Sequence, residues 1–155
     1  MRRIDREITD RDAMDDVLNR APLLFMAMVD NGDPYVVPLS FGYDGLDLYF
    51  HGAPDGRKVG ILRDDAGVCF TAVVDEELVT ADAACNYGVK GRSVVGTGTV
   101  EFITDPAAKR KAFDIIMRHH ATGDFTYPDE MVENTAVFKL AIDTLTMKAI
   151  GYPKT

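Results

Sequence analysis

The sequence predicts a mainly β domain: a small antiparallel barrel or strongly coiled sheet with helices on its outside. Six strand-like runs recur along the chain, mostly joined by short turn signals of the hairpin kind. Only three stretches carry amphipathic helical spacing, and they are scattered between the strands rather than alternating with each one. Hairpins in place of repeated βαβ units argue against a parallel α/β fold. At 155 residues with 46% apolar content, the chain suffices for one complete core. No repeat, low-complexity tract or Gly/Ser/Pro linker divides it, so one domain over residues 1–155 is expected.

The elements follow in order. Thr9 reads as the N-cap of the first helix, with Met14, Val17, Leu18 and Ala21 on one stripe, and Pro22 ends it. PLLFMAMV then runs into the turn Asp30-Asn31-Gly32-Asp33, PYVVPLSFGY follows, and Asp44-Gly45 leads to LDLYFH, which together predict a three-stranded meander. A short helix spans about Gly56 to Arg63. AGVCFTAVV is apolar on both faces and belongs in the middle of the sheet. The acid-rich segment from Asp75 to Gly88 reads as a long functional loop. RSVVGTGTVEFI alternates, placing Gly96, Gly98, Val100 and Phe102 on one face; two glycines there predict a close approach by another backbone or a ligand. Asp105-Pro106 starts a helix whose apolar face holds Ala112, Phe113, Ile116 and Met117 and which runs to His119-His120. AVFKLAIDTLTMKAI closes the sheet, with Phe138, Leu140 and Ile142 pointing one way and Lys139 and Asp143 the other.

A formal charge of −8 and a pI near 4.8 argue against a broad basic surface for nucleic acid or anionic lipid. Any phosphate must therefore meet a local basic pocket. Cys69 and Cys85 form no Cys-x-x-Cys pair and read as free thiols. The opening MRRIDREITDRDAM has no apolar core of the kind a signal peptide needs, and no apolar run approaches membrane-spanning length; the cytoplasm is the expected compartment.

Two segments carry candidate chemistry. In YFHGAPDGRKVGIL a strand ends at His51, small residues Gly52 and Ala53 turn the chain, and a helix opens with Gly56, Arg57 and Lys58. Unpaired amides and the positive dipole end at a helix start hold phosphate, while two cations in that turn oppose the dipole until an anion arrives. The plainer reading makes Arg57 and Lys58 solvated surface charges. His51 suits orienting a phosphate, facing a ring, proton transfer, or a purely structural hydrogen bond. Pro38, which lacks an N–H, places its strand at an edge or a bulge and frees backbone around Val36 to Ser40 for a planar polar ligand. His119 and His120, being adjacent, diverge on a helix and do not chelate one metal. No metal cluster, catalytic triad or Walker motif is recognisable, and no metal is expected.

The run PYVVPLSFGYDGLDLYFHGAPDGRKVGIL, the strand holding Val68, Cys69 and Phe70, the RSVVGTGTVEF segment and the DPAAKRKAFDIIMRHH helix together resemble the pyridoxamine 5′-phosphate oxidase-like flavin-binding proteins, and more narrowly their nitroimidazole-resistance branch. That resemblance implies a six-stranded antiparallel split β-barrel with outer helices, paired as a homodimer with two FMN sites between subunits. Carried onto this chain, it implies that His51, Gly52, Ala53, Arg57 and Lys58 surround the FMN phosphate and ribityl end. Backbone around Val37, Pro38, Leu39 and Ser40 meets the edge of the flavin ring, and Tyr87, Arg92 and Ser93 arrive from the partner chain. His51 is the candidate reactive residue beside the flavin.

The function implied is an FMN-dependent oxidoreductase that reduces small aromatic or nitro compounds with electrons from a reduced nicotinamide or another donor. The alternative is a flavin- or haem-binding carrier or sensor without turnover, since one fold hosts several ligands. Pyridoxamine phosphate is not the expected substrate, because KAIGYPKT offers only Lys148 and Lys154 for a second phosphate.

Overall fold

In a computed structural model, which describes residues 7–152, the strands form one antiparallel sheet that coils without closing. Along the chain run β1 (Glu7–Ile8), α1 (Arg11–Arg20), β2 (Leu24–Asp30), β3 (Asp33–Leu39), β4 (Gly42–Tyr43), β5 (Asp47–Gly52), α2 (Arg57–Asp64), β6 (Gly67–Val79), a 3₁₀ turn (Ala84–Asn86), β7 (Gly88–Ile103), α3 (Pro106–His120), α4 (Asp129–Glu133) and β8 (Ala136–Ile150). The strand order is β3-β2-β6-β7-β8-β5-β4, with β1 added to β8. Six of the strands are long and helices lie outside them, as the sequence predicts for a split barrel. The charged opening stretch before Glu7 and Lys154 near the end lie outside the described residues.

Inward-facing residues of the strands and the α1 stripe make the main core. Val17, Leu18, Leu24, Met26, Phe41, Leu48, Phe70, Leu140 and Met147 are fully buried, and Phe50 stacks on Phe138 with ring centroids 5.2 Å apart. Each such side chain contributes about 1.5–3 kcal/mol by leaving water. A smaller cluster of Ala112, Phe113, Ile116, Val132 and Val137 sits beneath α3 and α4.

Four local expectations are corrected. The N-cap of α1 is Asp10, not Thr9: the Asp10 carboxylate accepts the Asp12 N–H at 2.9 Å, a charged acceptor at the positive end of the helix. The meander is only a hairpin. β2 and β3 pair through the Asn31-Gly32 turn (φ 52° and 93°), whereas β5 pairs with β4 and β8, because the buried Phe41 and the close packing of Gly42 on α3 carry the chain to the far side of the sheet. The acid-rich segment is partly strand. β6 continues to Val79 across a bulge at Asp75 (φ 60°), and Glu77, Leu78 and Val79 pair with Lys90, Val89 and Gly88, leaving only residues 80–87 as the connection. Finally, beyond the three helices expected, α4 forms in the Gly- and Pro-containing stretch between α3 and β8; Lys109 reaches over to donate to the carbonyls of Val132 and Thr135 at its C-terminal end.

The prediction for β7 agrees with the structure, and the approach it implies is made by the protein's own core. A Cβ on Gly96 would lie 2.4 Å from the Phe70 ring, and one on Gly98 would lie 2.2 Å from the Ala141 carbonyl oxygen, where β7 and β8 slip register. β6 is central, between β2 and β7, but alternates: Val68, Phe70, Ala72 and Val74 face the core, while Cys69 is exposed. Pro38 lies on β3, the edge strand, opposite Phe25.

Candidate functional site

β5 alternates along its length, sending Leu48 and Phe50 into the core and Tyr49 and His51 outward. Beyond Gly52 the chain turns through Ala53 to Gly56, whose φ of 110° and ψ of 170° favour a residue without a Cβ. Gly56 is the N-cap of α2 and offers no side-chain acceptor, so the first-turn amides of the helix carry no side-chain cap. Val59, Ile61 and Leu62 bury the inner face and fix α2 on the core.

The two cations that open α2 differ. Arg57 Nε donates to the Asp30 carboxylate at 2.7 Å, and its guanidinium lies 4.3 Å from the centre of the Tyr35 ring. It thereby clips α2 to the β2–β3 hairpin, bringing together segments from the two ends of the strand order. Lys58 instead turns inward. Its ammonium lies 5.5 Å from the centre of the Phe138 ring and beside Gly52, and among the described residues no carboxylate pairs with it. Burial pushes its pKa below the usual lysine range.

Val37, Pro38, Leu39 and Ser40 lie at the end of β3 remote from its hairpin turn. Val37 and Leu39 pack on the core, while Val36, Pro38 and Ser40 are exposed. Among the described residues the outer edge of β3 has no strand partner, so its backbone groups are available to another acceptor or donor.

His51 faces away from the core, edge-on to Phe113 with ring centroids 6.2 Å apart. Burial, then Lys58, then His120 lower its pKa, favouring the neutral imidazole. It lines a pocket of about 280 Å³ with residues of α3 and of the segment around α4.

Thus Gly52, Ala53, Arg57 and Lys58 come together at the start of α2, with His51 at the adjoining strand end and the β3 edge linked through Arg57. Tyr87, Arg92 and Ser93 do not join them within one chain. Ser93 pairs with Lys148 at one end of β8 and His51 with Val137 at the other, a separation on the order of 30 Å along an extended strand. Arg92 donates to Asp75 at 2.5 Å and lies 4.5 Å from the Tyr152 ring centre, while Arg20 grips the same carboxylate and the Tyr152 hydroxyl donates to the Asp75 carbonyl. Both arginines hold the Asp75 carboxyl below the usual range. Tyr87 stands 52% exposed beside the 3₁₀ turn.

Sequence reasoning did not single out Asp30 and Tyr35 as the holders of Arg57, nor Tyr127 and Met131 as walls of the pocket. These lie on the two strands flanking the Asn31-Gly32 turn and in the proline-containing segment around α4, where no periodicity announces a role. Among the described residues no group of His, Cys, Asp and Glu is arranged to hold a metal, and no helix is long and apolar enough to cross a membrane.

The chain matches the family described as pyridoxamine 5′-phosphate oxidase over residues 10–149. No curated protein matches it. Among solved structures, a candidate 5-nitroimidazole antibiotic resistance protein from Bacteroides thetaiotaomicron is 38% identical, with a TM-score of 0.84 over 92% of this chain and 86% of that one. A flavocytochrome from Azotobacter vinelandii is 27% identical with a TM-score of 0.86, covering 100% of this chain and 74% of that one. The FAD and haem binding protein from Mycobacterium smegmatis is 25% identical with a TM-score of 0.86, over 97% and 76% respectively.

Proposed function

The chain belongs to the pyridoxamine 5′-phosphate oxidase family, and from that premise we propose that it is an FMN-binding oxidoreductase acting on small aromatic or nitro compounds, with electrons from a reduced nicotinamide or another donor. Lys58 carries the reading. A half-buried ammonium without a carboxylate partner among the described residues, set beside the uncapped start of α2, is complementary to a phosphate dianion. Gly52 and Gly56 keep side chains out of that approach. The unpaired edge of β3 at Val37 to Ser40 suits the hydrogen-bonding rim of a planar ring. The residues present therefore fit FMN.

Bound FMN would supply the electron transfer between donor and acceptor. The chain's own residues bind and orient. Lys58 and the α2 amides hold the phosphate, Arg57 keeps α2 fixed against Asp30 and Tyr35, and His51 presents a neutral imidazole to a substrate or proton at its exposed side.

The proposed assembly is a homodimer. The outer sheet face exposes Phe25 and Val95, at 47% and 46%, and the β6–β7 arm exposes Leu78, Val89 and Tyr87. Because Tyr87, Arg92 and Ser93 lie far from His51 within a chain, they reach a shared pocket only from a second copy.

A second reading, a flavin- or haem-binding protein without turnover, draws on the two similar structures described as a flavocytochrome and as an FAD and haem binding protein. Absorption of freshly purified protein separates them, flavin bands against a Soret band, and mass spectrometry of the released cofactor distinguishes FMN from FAD. Anaerobic reduction by a nicotinamide followed by reoxidation with a nitroimidazole tests turnover. Protein that takes up no FMN would end the leading reading, and bound FMN with no acceptor reduced would leave only the carrier.

A further inference from the structure

Lys109 has no place in the phosphate cradle, yet the strand end that builds the cradle is tied to it. It stands near the N-terminal end of α3, where a cation opposes the helix dipole. Its ammonium crosses instead to the C-terminal end of α4, donating to the carbonyls of Val132 at 2.9 Å, Thr135 at 2.7 Å and Glu133 at 3.5 Å. Three donors meet three acceptors, and carbonyls left over at a helix end suit a cation.

Thr135 immediately precedes β8, and the first rung of that strand pairs Ala136 with Gly52. That rung is the least supported of its ladder. From Val137 to Ala141 β8 lies between β5 and β7, whereas β7 ends with Ile103 opposite Val137, so Ala136 has a strand on one side only. Strand ends of this kind fray unless something holds them. Gly52 in turn stands beside the ammonium of Lys58, for a Cβ on Gly52 would lie 3.2 Å from Nζ. A continuous set of contacts therefore runs from Lys109 through Thr135, Ala136 and Gly52 to Lys58.

We propose that Lys109 is a positioning residue for the phosphate cradle, holding the start of β8 so that Gly52, and with it the approach to Lys58, keeps its place. The proposal rests on the FMN reading for what the cradle holds. The Lys109 ammonium is spent on carbonyls, so it acts through Gly52 and not on the phosphate itself. Val137 and Phe138 are buried and have strands on both sides, so loss of the tether stays local to the one rung.

The test compares Lys109→Met, which keeps an unbranched side chain without the donors, with Lys111→Met, which removes an equal charge from an exposed position on the same helix. Hydrogen exchange followed by mass spectrometry on the FMN-free protein reads the strand end, and titration with FMN at about 0.05 M and about 0.5 M salt reads the cradle. In Lys109→Met, exchange in residues 49–53 is expected to quicken at least about tenfold while β6 and β7 stay as they were, and FMN to bind about three- to tenfold more weakly than to the natural chain at both salt concentrations. Lys111→Met should leave both readouts unchanged. Unaltered exchange, unaltered affinity, or a loss of affinity that high salt abolishes or that Lys111→Met reproduces would each overturn the proposal, the last two because they mark the lost charge and not the lost tether. If Lys109→Met does not unfold cooperatively, Lys109→Gln, whose amide keeps donors at a shorter reach, is read in the same way. A natural chain that takes up no FMN would remove the cofactor reading and leave exchange to decide whether Lys109 holds the strand end. A natural chain that takes it up, with Lys109→Met binding it equally well, would remove only the role of Lys109.

Discussion

Lys58 and Arg57 adjoin in sequence yet answer to different partners, and their substitutions should separate accordingly. Lys58→Ala should weaken FMN by about 1.5–3 kcal/mol, the value of a charge-assisted contact, measured by isothermal titration. Arg57→Ala should cost less affinity and act on stability, by about 0.2–1 kcal/mol for a partly exposed ion pair, because its guanidinium serves Asp30 and Tyr35. The opposite ranking would exchange their roles. His119 gives a prediction in pH. Its Nε2–H donates to the Ala21 carbonyl at 2.8 Å and its ring packs against Phe41, 4.6 Å between centroids. Burial lowers its pKa, the Ala21 bond raises it, and His120 lowers it further, the net shift being downward. A depressed folded pKa means that the unfolded chain protonates first as pH falls below about 6.5, so the stability His119 contributes is present above that value and declines as pH drops through the folded pKa. Thermal unfolding between pH 7.5 and 5 should fall less steeply in His119→Gln than in the natural chain. Parallel curves would refute the linkage.

Among elements, the strands show how much of the fold periodicity discloses. In β7 the alternation of Gly96, Gly98, Val100 and Phe102 with Thr97, Thr99 and Glu101 names the inner face from sequence, since side chains alternate along a strand wherever no bulge interrupts it. Gly98→Ala should destabilise by about 1–3 kcal/mol or prevent folding, because its Cβ would press on the Ala141 carbonyl, which belongs to the paired backbone of β8. Chemical denaturation reads the cost; an unchanged midpoint would mean that β8 yields there. The end of β6 was less legible. Asp75, Glu76 and Glu77 look like loop residues because acidic side chains are ordinarily solvated, yet the pairing of Glu77 to Lys90 needs only backbone, and the bulge at Asp75 is stabilised by Arg20, Arg92 and the Tyr152 hydroxyl, residues distant in sequence. α1 is the reverse case, its stripe legible and its start displaced by one residue from Thr9 to Asp10, two adjacent residues each competent to cap.

At the scale of the molecule, the candidate site is split between the two ends of the sheet. If a second copy brings Tyr87, Arg92 and Ser93 to the His51 end, association and cofactor binding are coupled. On the proposed pairing, Phe25→Glu combined with Val95→Glu should give a monomer by sedimentation and weaken FMN at least about tenfold, since charges placed on that exposed face would have to be desolvated for two copies to pair through it. A monomer retaining full affinity would show that one chain suffices. The proximity of His51, Gly52, Ala53, Arg57 and Lys58 around one helix start was readable from the sequence, because a strand end, a turn of small residues and a helix start are set locally. The contact of Arg57 with Asp30 and the cavity against α3 were not, because they depend on how a coiled sheet folds back on itself.

By itself the sequence determined the long strands and the first three helices, most inward faces and the order of small and basic residues after β5, all properties set within a few residues by dihedral preference and periodicity. Tertiary structure alone decided that β5 pairs with β8 rather than with β3, that Lys58 turns inward while Arg57 is clamped, and that His51 opens onto an apolar chamber. Those outcomes rest on burial and long-range pairing, whose free energy depends on which distant surfaces meet.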